Sequence, residues 1–301
     1  MKKITIILIL LFVNCTDMII DNNSYKSIIL SGGTWIEFEN SDVTNFLNDD
    51  FSLQLWVSGK YDESNDAKIL FSIINENDNS IELGLLRNTS LNNALDIYID
   101  GTAQSTIESN DLNWSTVSFN LITITSDKSD DGSDTSIIKV FVNDQEMYIS
   151  NPASINIGNA NLIIGARVNS LQTYADNFWV GLIDEIRFWN STLNQSEIQF
   201  HINNPSKINT SSGCSDSQYL TFTACESQGG TWTGIYSDDR LSNLKGLWRF
   251  NYDSPSFNLP DESCGELELD SGLTQNNGCE YINGILYTLP GYSAQFSKQG
   301  L

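Results

Sequence analysis

The stretch VGLIDEIRFWNSTLNQSEIQFHI, residues 180–202, decides the fold, because it reads as a strand running into a short capped helix. Val180, Leu182, Ile186 and Phe188 alternate with Ile183, Glu185, Arg187 and Trp189, the period of two that sends successive side chains to opposite faces of a sheet. Asp184 interrupts the apolar set. A buried carboxylate is costly without a partner, so this acid is expected to be shielded by one or to lie near a strand end. Asn194, followed three residues later by Glu197, has the pattern of a capping box; Asn203, Asn204 and Pro205 stop the helix.

Upstream, between residues 27 and 142, short apolar-alternating runs are separated by turns rich in Asn and Asp. Phe51, Leu53, Leu55 and Val57 face one way and Ser52, Gln54 and Trp56 the other, so one side of this strand packs on a core. Ile81, Leu83 and Leu85 repeat the pattern, as do Leu95, Ile97 and Ile99, and then Val117, Phe119 and Leu121. Such a chain is all-β, a sandwich with few helices. Burial at roughly 25 cal/mol per Å² drives it, largely offset by chain entropy.

Three of these segments carry a resemblance. G-x-I-D-E-I-R-x-W followed by L-x-x-x-E-I, with FSLQLWV at residues 51–57 and IKVFVN at residues 138–143, resembles laminin-G-like and pentraxin-like domains of the concanavalin A-like lectin/glucanase superfamily. The likeness spans roughly residues 25–202, with the segments in the family's order. It implies a two-sheet antiparallel jelly roll used for binding.

Met1, Lys2 and Lys3 precede an apolar run, residues 4–13, too short to span a membrane, and the layout is that of a bacterial secretory signal. Residues 11–15, LFVNC, resemble a lipobox, which implies export and lipidation at Cys15; Asn14 departs from the small residue expected there. The net charge of -23, from 38 acids and 15 bases, argues against a nucleic-acid partner, since phosphate binding needs concentrated Lys and Arg. Membrane contact is expected only through the lipid, at the outer membrane or cell surface or, without lipidation, in secreted form. Oligomeric state is left open.

The chain turns irregular after residue 203 and carries Cys214, Cys225, Cys264 and Cys279, an even set in an exported chain that implies two disulfides. Four cysteines allow three pairings. The sequential one, Cys214 with Cys225 and Cys264 with Cys279, closes the shortest loops. The tail's LKGLWRFNYDSP, D-S-G, N-N-G and GYSAQF segments resemble the opening of the same family. Either the tail folds back to complete the sandwich or it begins a second copy; folding back is favoured, because half a sandwich exposes edges and an apolar face. The expected organisation is thus a signal peptide over residues 1–15, a jelly roll over 25–204, a small disulfide-bearing C-terminal extension beginning with a cysteine-containing insertion over 205–240, and a completing tail over 241–301.

Catalytic candidates are few. His201 is the one histidine, and a helix-end histidine is usually structural, so neither a nucleophilic triad nor a His-built metal centre is expected. The competing enzyme reading is a carboxylate-dependent glycoside hydrolase built on Glu266, Glu268 and Asp270, which alternate along one strand with roughly 7 Å between neighbours. In the loop SDKSDDGSDTS, Asp127, Asp130, Asp131 and Asp134 could wrap Ca²⁺, although the EF-hand spacing is absent and a solvated hairpin tip competes. The family resemblance implies a second calcium candidate at a loop rim, Asp176 with Asn177. Sugars present apolar faces and hydroxyls, so aromatic rings edged by amides and carboxylates suit them. Trp179, beside Tyr174, Asp176 and Asn177, is the first candidate for such a platform, and Trp56, on the polar face of its strand, is the second. The expected function is an exported binding or adhesion module that recognises glycan or an extracellular protein without catalysis, with a structural adhesion spacer as a third reading.

Overall fold

Alternating apolar strands can bury one face only against a second layer. The computed structural model describes residues 27–38, 47, 49–59, 68–74, 80–88, 94–108, 110–112, 118–155, 161–168, 175–203, 205, 213–214, 232–233, 243–248, 258–259, 284–288 and 295–297. In chain order the strands are β1 (Ser27–Ser31), β2 (Thr34–Phe38), β3 (Phe51–Gly59), β4 (Lys68–Ile74), β5 (Ile81–Asn88), β6 (Ala94–Ile99), β7 (Thr102–Ile107), β8 (Asn120–Lys128), β9 (Ser136–Val142), β10 (Gln145–Ile149), β11 (Asn161–Ile164), β12 (Arg167–Val168), β13 (Ala175–Asp176) and β14 (Val180–Trp189). Helix α1 (Gln195–Asn203) follows, then β15 (Gly213–Cys214), β16 (Trp232–Thr233), β17 (Leu244–Trp248), β18 (Asn258–Leu259), β19 (Gly284–Thr288) and β20 (Gln295–Ser297).

Two antiparallel sheets form the sandwich. Sheet I runs β10-β9-β8-β3-β14-β1-β20 with β17 also on β14, and sheet II runs β18-β19-β2-β11-β4-β5-β6-β7. Between them lies one apolar interior holding Leu53, Ile97, Ile99 and Ile186 together. The last strands enter both sheets: β17 pairs with β14, β19 with β2 and β20 with β1. Trp248 of β17 is fully buried, within 4.5 Å of Phe38 and 5.9 Å of Phe188 between ring centroids. Burying about 200 Å² of indole at ~25 cal/mol per Å² is worth up to about 5 kcal/mol, so this segment is bound into the core.

The strand that decides the fold departs from simple alternation. In the ladder with β3, Ile183 faces Val57 and Asp184 faces Trp56, but Arg187 faces Gln54, so β14 holds one extra residue. Glu185 sits there at φ 43°, and Asp184 accepts its backbone N–H at 2.8 Å. The bulge resets the parity. Ile183, Ile186 and Phe188 all point into the interior, whereas strict alternation put Ile183 on the other side. It also divides the edge of β14: β1 pairs with residues 180–183 and β17 with residues 186–189.

The capping box forms as expected. Asn194 Oδ1 accepts the Glu197 N–H at 3.1 Å, and Glu197 Oε2 accepts the Asn194 N–H at 2.8 Å. The helix then lies on the outer face of sheet I, where Ile198 and Leu193 pack with Trp56, Leu121, Phe141, Trp189, Leu244 and Leu247. Leu121, with Phe119 beside it, therefore belongs to this second cluster, and Ile122 and Ile124 are the residues of β8 that enter the interior. Every residue of β3 is buried for the same reason. Its polar side chains are satisfied there: Ser52 donates to Ser191 O at 2.8 Å and accepts from Leu193 N at 2.9 Å, and Gln54 accepts from Trp189 Nε1 at 3.2 Å.

Candidate functional site

The D-E-I-R motif is structural. Arg187 is fully buried; its Nε donates to Glu185 Oε2 at 2.9 Å and its Nη2 donates to that oxygen and to Pro205 O, tying the end of the helical segment to the bulge. His201 is buried too, its ring stacked on Trp189 at 5.4 Å and 18°. Neither group faces solvent.

The two tryptophans offered by the sequence as platforms are corrected by their burial. Trp179 is 0% exposed, part of the interior, with the Arg87 guanidinium 4.0 Å from its ring centroid. A Cβ at Gly181 would come within 2.7 Å of the Trp179 indole nitrogen, so glycine is what admits the ring. Trp56 is 4% exposed, covered by α1. Tyr174 lies outside the described residues. Asp176 is held by Arg167 through two hydrogen bonds, 2.9 and 2.6 Å, that close the β12–β13 hairpin. Asn177, at φ 52°, offers its carbonyl to Ile69 N at 2.8 Å. Both brace the hairpin over Trp35, Ile163 and Phe178 on the outer face of sheet II.

The acidic loop is the tip of the β8–β9 hairpin. Asp131 accepts Ser133 N–H at 2.8 Å; the Ser133 hydroxyl, the Ser133 N–H and the Ser129 hydroxyl together hold its carboxyl down at about 2. Asp134 pairs with Lys128 at 3.3 Å, and Asp127 stands in the ladder opposite Ile137. Asp130 is exposed. These four do not converge: among the described residues no three His, Cys, Asp or Glu side chains are grouped to hold a metal ion. Cys15, Cys225, Cys264, Cys279, Glu266, Glu268 and Asp270 lie outside the described residues; Cys214 is described only as backbone in β15, paired with Trp232.

A different constellation lies on the outer face of sheet II, away from the β12–β13 hairpin. Leu95, Ile97 and Ile99 turn inward, so Asp96 and Tyr98 of β6 turn outward, each half-buried. Asp96 Oδ2 accepts Asn88 Nδ2 at 2.9 Å from β5, and Asp96 Oδ1 accepts the Thr106 hydroxyl at 2.7 Å from β7. Three strands thus fix one carboxylate, with a spare lone pair on each oxygen, two residues from an aromatic ring. Opposite Tyr98 stands Gly84, where a Cβ would press to 2.7 Å on Ile81 and 3.1 Å on Phe71 O. The β6–β7 turn is Asp100-Gly101, both at positive φ, as a tight hairpin requires. Sequence reasoning did not single out these residues. The signal was present in LDIYI, whose inward set leaves an acid and an aromatic on the other face.

A family described as the concanavalin A-like lectin/glucanases superfamily, of laminin G type, matches residues 30–199, more than half of the chain. None of the curated proteins matches the sequence. Similar solved structures include a Bacteroides ovatus protein with a provisional carbohydrate-binding description, at 9% identity and TM-score 0.48, covering 91% of this chain and 60% of that one. A Limulus polyphemus pentraxin has 10% identity and TM-score 0.43, covering 60% of this chain and 82% of its own. A Trypanosoma rangeli sialidase in complex with sialic acid has 15% identity and TM-score 0.46, covering 62% of this chain and 28% of its own. This chain therefore spans less than two thirds of the first of these proteins.

Proposed function

The chain belongs to the concanavalin A-like lectin/glucanase superfamily, and from that premise we propose that it is a non-catalytic module that binds carbohydrate on the outer face of sheet II. The observation that carries the reading is the Asn88–Asp96–Thr106 network beside Tyr98. A preset carboxylate accepts from sugar hydroxyls without reorganising, and a nearby ring offers an apolar surface to the sugar's CH face. A panel of oligosaccharides titrated against the wild type, Tyr98→Ala and Asp96→Ala tests it. Binding should be weakened about tenfold or more in each variant, a loss of about 1.4 kcal/mol; binding untouched in both would remove the site.

The hydrolase reading needs two carboxyls about 5 to 9.5 Å apart. Glu37 and Glu82 turn outward on the same sheet, but the row Glu37, Ile163, Ser72, Gly84 puts three strand spacings of about 4.8 Å between β2 and β5, and Glu82 lies two residues beyond Gly84, roughly 16 Å away in all. Asp96 faces Leu86, which is four residues along β5 from Glu82, so the two acids are about 14 Å apart. Glu82 and Asp100 do adjoin across β5 and β6, Asp100 N donating to Glu82 O at 2.9 Å, so these two acids belong in the same test as Glu266 and Glu268. Release of reducing sugar by the full chain, lost in Glu266→Gln, Glu268→Gln, Glu82→Gln or Asp100→Asn, would overturn the non-catalytic reading. The basic and apolar leader ending at Cys15 supports a surface location for such a module; lipid labelling that persists in Cys15→Ala would count against the anchor.

A further inference from the structure

Resting on the carbohydrate reading, we infer that the site on β5, β6 and β7 selects uncharged glycans and rejects acidic ones. Residues 69–127, which contain these strands and their connections, carry eight acids (Glu76, Asp78, Glu82, Asp96, Asp100, Glu108, Asp111 and Asp127) and one cation, Arg87. That cation is turned away. Arg87 is fully buried with its guanidinium against Trp179, on the row that faces the opposite sheet, and the flanking Lys68 is in register with it on that same row.

A sialic acid, uronic acid or sulfated sugar would bring an anion toward Asp96 without a cation from this segment to receive it. The carboxylate's hydrogen-bond donors, Asn88 and Thr106, are already committed to it. Recognition of an acidic sugar needs an Arg or Lys fork or free backbone N–H groups, and a net charge of -23 adds a long-range penalty at low salt. A neutral sugar meets the opposite situation, because its hydroxyls donate to the spare lone pairs of Asp96.

The experiment is a glycan array of the full chain carrying neutral oligosaccharides beside sialylated, uronic-acid and sulfated forms of the same backbones, followed by titration of the best neutral ligand and its acidic counterpart at low and high salt. The expected result is binding of the neutral form, with the acidic form about tenfold weaker at low salt and the gap narrowing at high salt. Asp96→Asn should narrow the gap as well. Acidic forms bound as tightly as neutral ones would overturn the selectivity and leave the carbohydrate reading standing. An array blank for every glycan would overturn that reading and the selectivity with it.

Discussion

Replacing Arg187 by Met removes the guanidinium from the bulge of β14 while keeping most of the side chain's bulk. Glu185, whose side chain is 6% exposed, then loses the guanidinium that pairs with its Oε2, and Pro205 O loses a donor. Breaking a buried ion pair by removing one member costs about 3–5 kcal/mol, because the remaining charge stays desolvated. For a folded unit of this size each kcal/mol lowers the melting temperature by about 2–4 °C, so a fall of roughly 6–20 °C is expected. The assay is urea unfolding of the wild type, Arg187→Met, Glu185→Met and the double variant, with unchanged m-values as the check that the unfolding reaction is the same. The double variant should recover stability relative to Arg187→Met, since removing both charges also removes the desolvation cost. Lys128→Met is the control, since its ion pair with Asp134 is exposed and worth at most about 1 kcal/mol. An Arg187→Met loss as small as that of the control, or strict additivity in the double variant, would refute a coupled pair in this position.

Gly181→Ala should destabilise by about 1–3 kcal/mol, since its Cβ would lie 2.4 Å from Ser58 O and 2.7 Å from Trp179 Nε1; a quench or shift of tryptophan emission would accompany it, and a neutral melt would exclude the close packing. Asn194→Ala should cost about 1 kcal/mol by opening the capping box, measurable as a lower denaturation midpoint. Asp131 has its carboxyl lowered from 3.8 to about 2 by the Ser133 and Ser129 hydrogen bonds, so its contribution is complete above about pH 4 and is lost as pH falls toward 2. Asp131→Asn should therefore flatten the acid side of a melting-temperature profile in that window, and an unchanged slope would show that the group does not act. Chelator against millimolar Ca²⁺ should leave the melting temperature in place, because the four acids of the loop are not gathered; a rise of several degrees with Ca²⁺ would mean that the metal binds the folded state.

Alternation within LQLWV, LDIYI and EIRF is a local property of the chain, since side chains i and i+2 must share a face whatever surrounds the strand. It was therefore enough, before any coordinates, to place Leu53, Ile97, Ile99 and Ile186 in one interior, and the Asn194–Glu197 box was equally local. What alternation does not state is which of a strand's two faces is covered. Trp56 and Gln54 lie under α1 because the helix folds back over sheet I, and Trp179 is interior because Gly181 and Arg87 enclose it; both depend on segments distant in the chain. The parity reset at Glu185 is of the same kind, since a one-residue bulge exists only relative to the partner strand. By itself the residue pattern was enough for the all-β class, the helix after β14 and the family, but not for every strand, since β8 begins at Asn120 and turns Leu121 to the outer face. The tertiary structure alone decided which aromatics are closed off, how β17 joins β14, and that Asp96 and Tyr98 keep contact with solvent, because burial is fixed by what packs across a face and not by the order of residues along it.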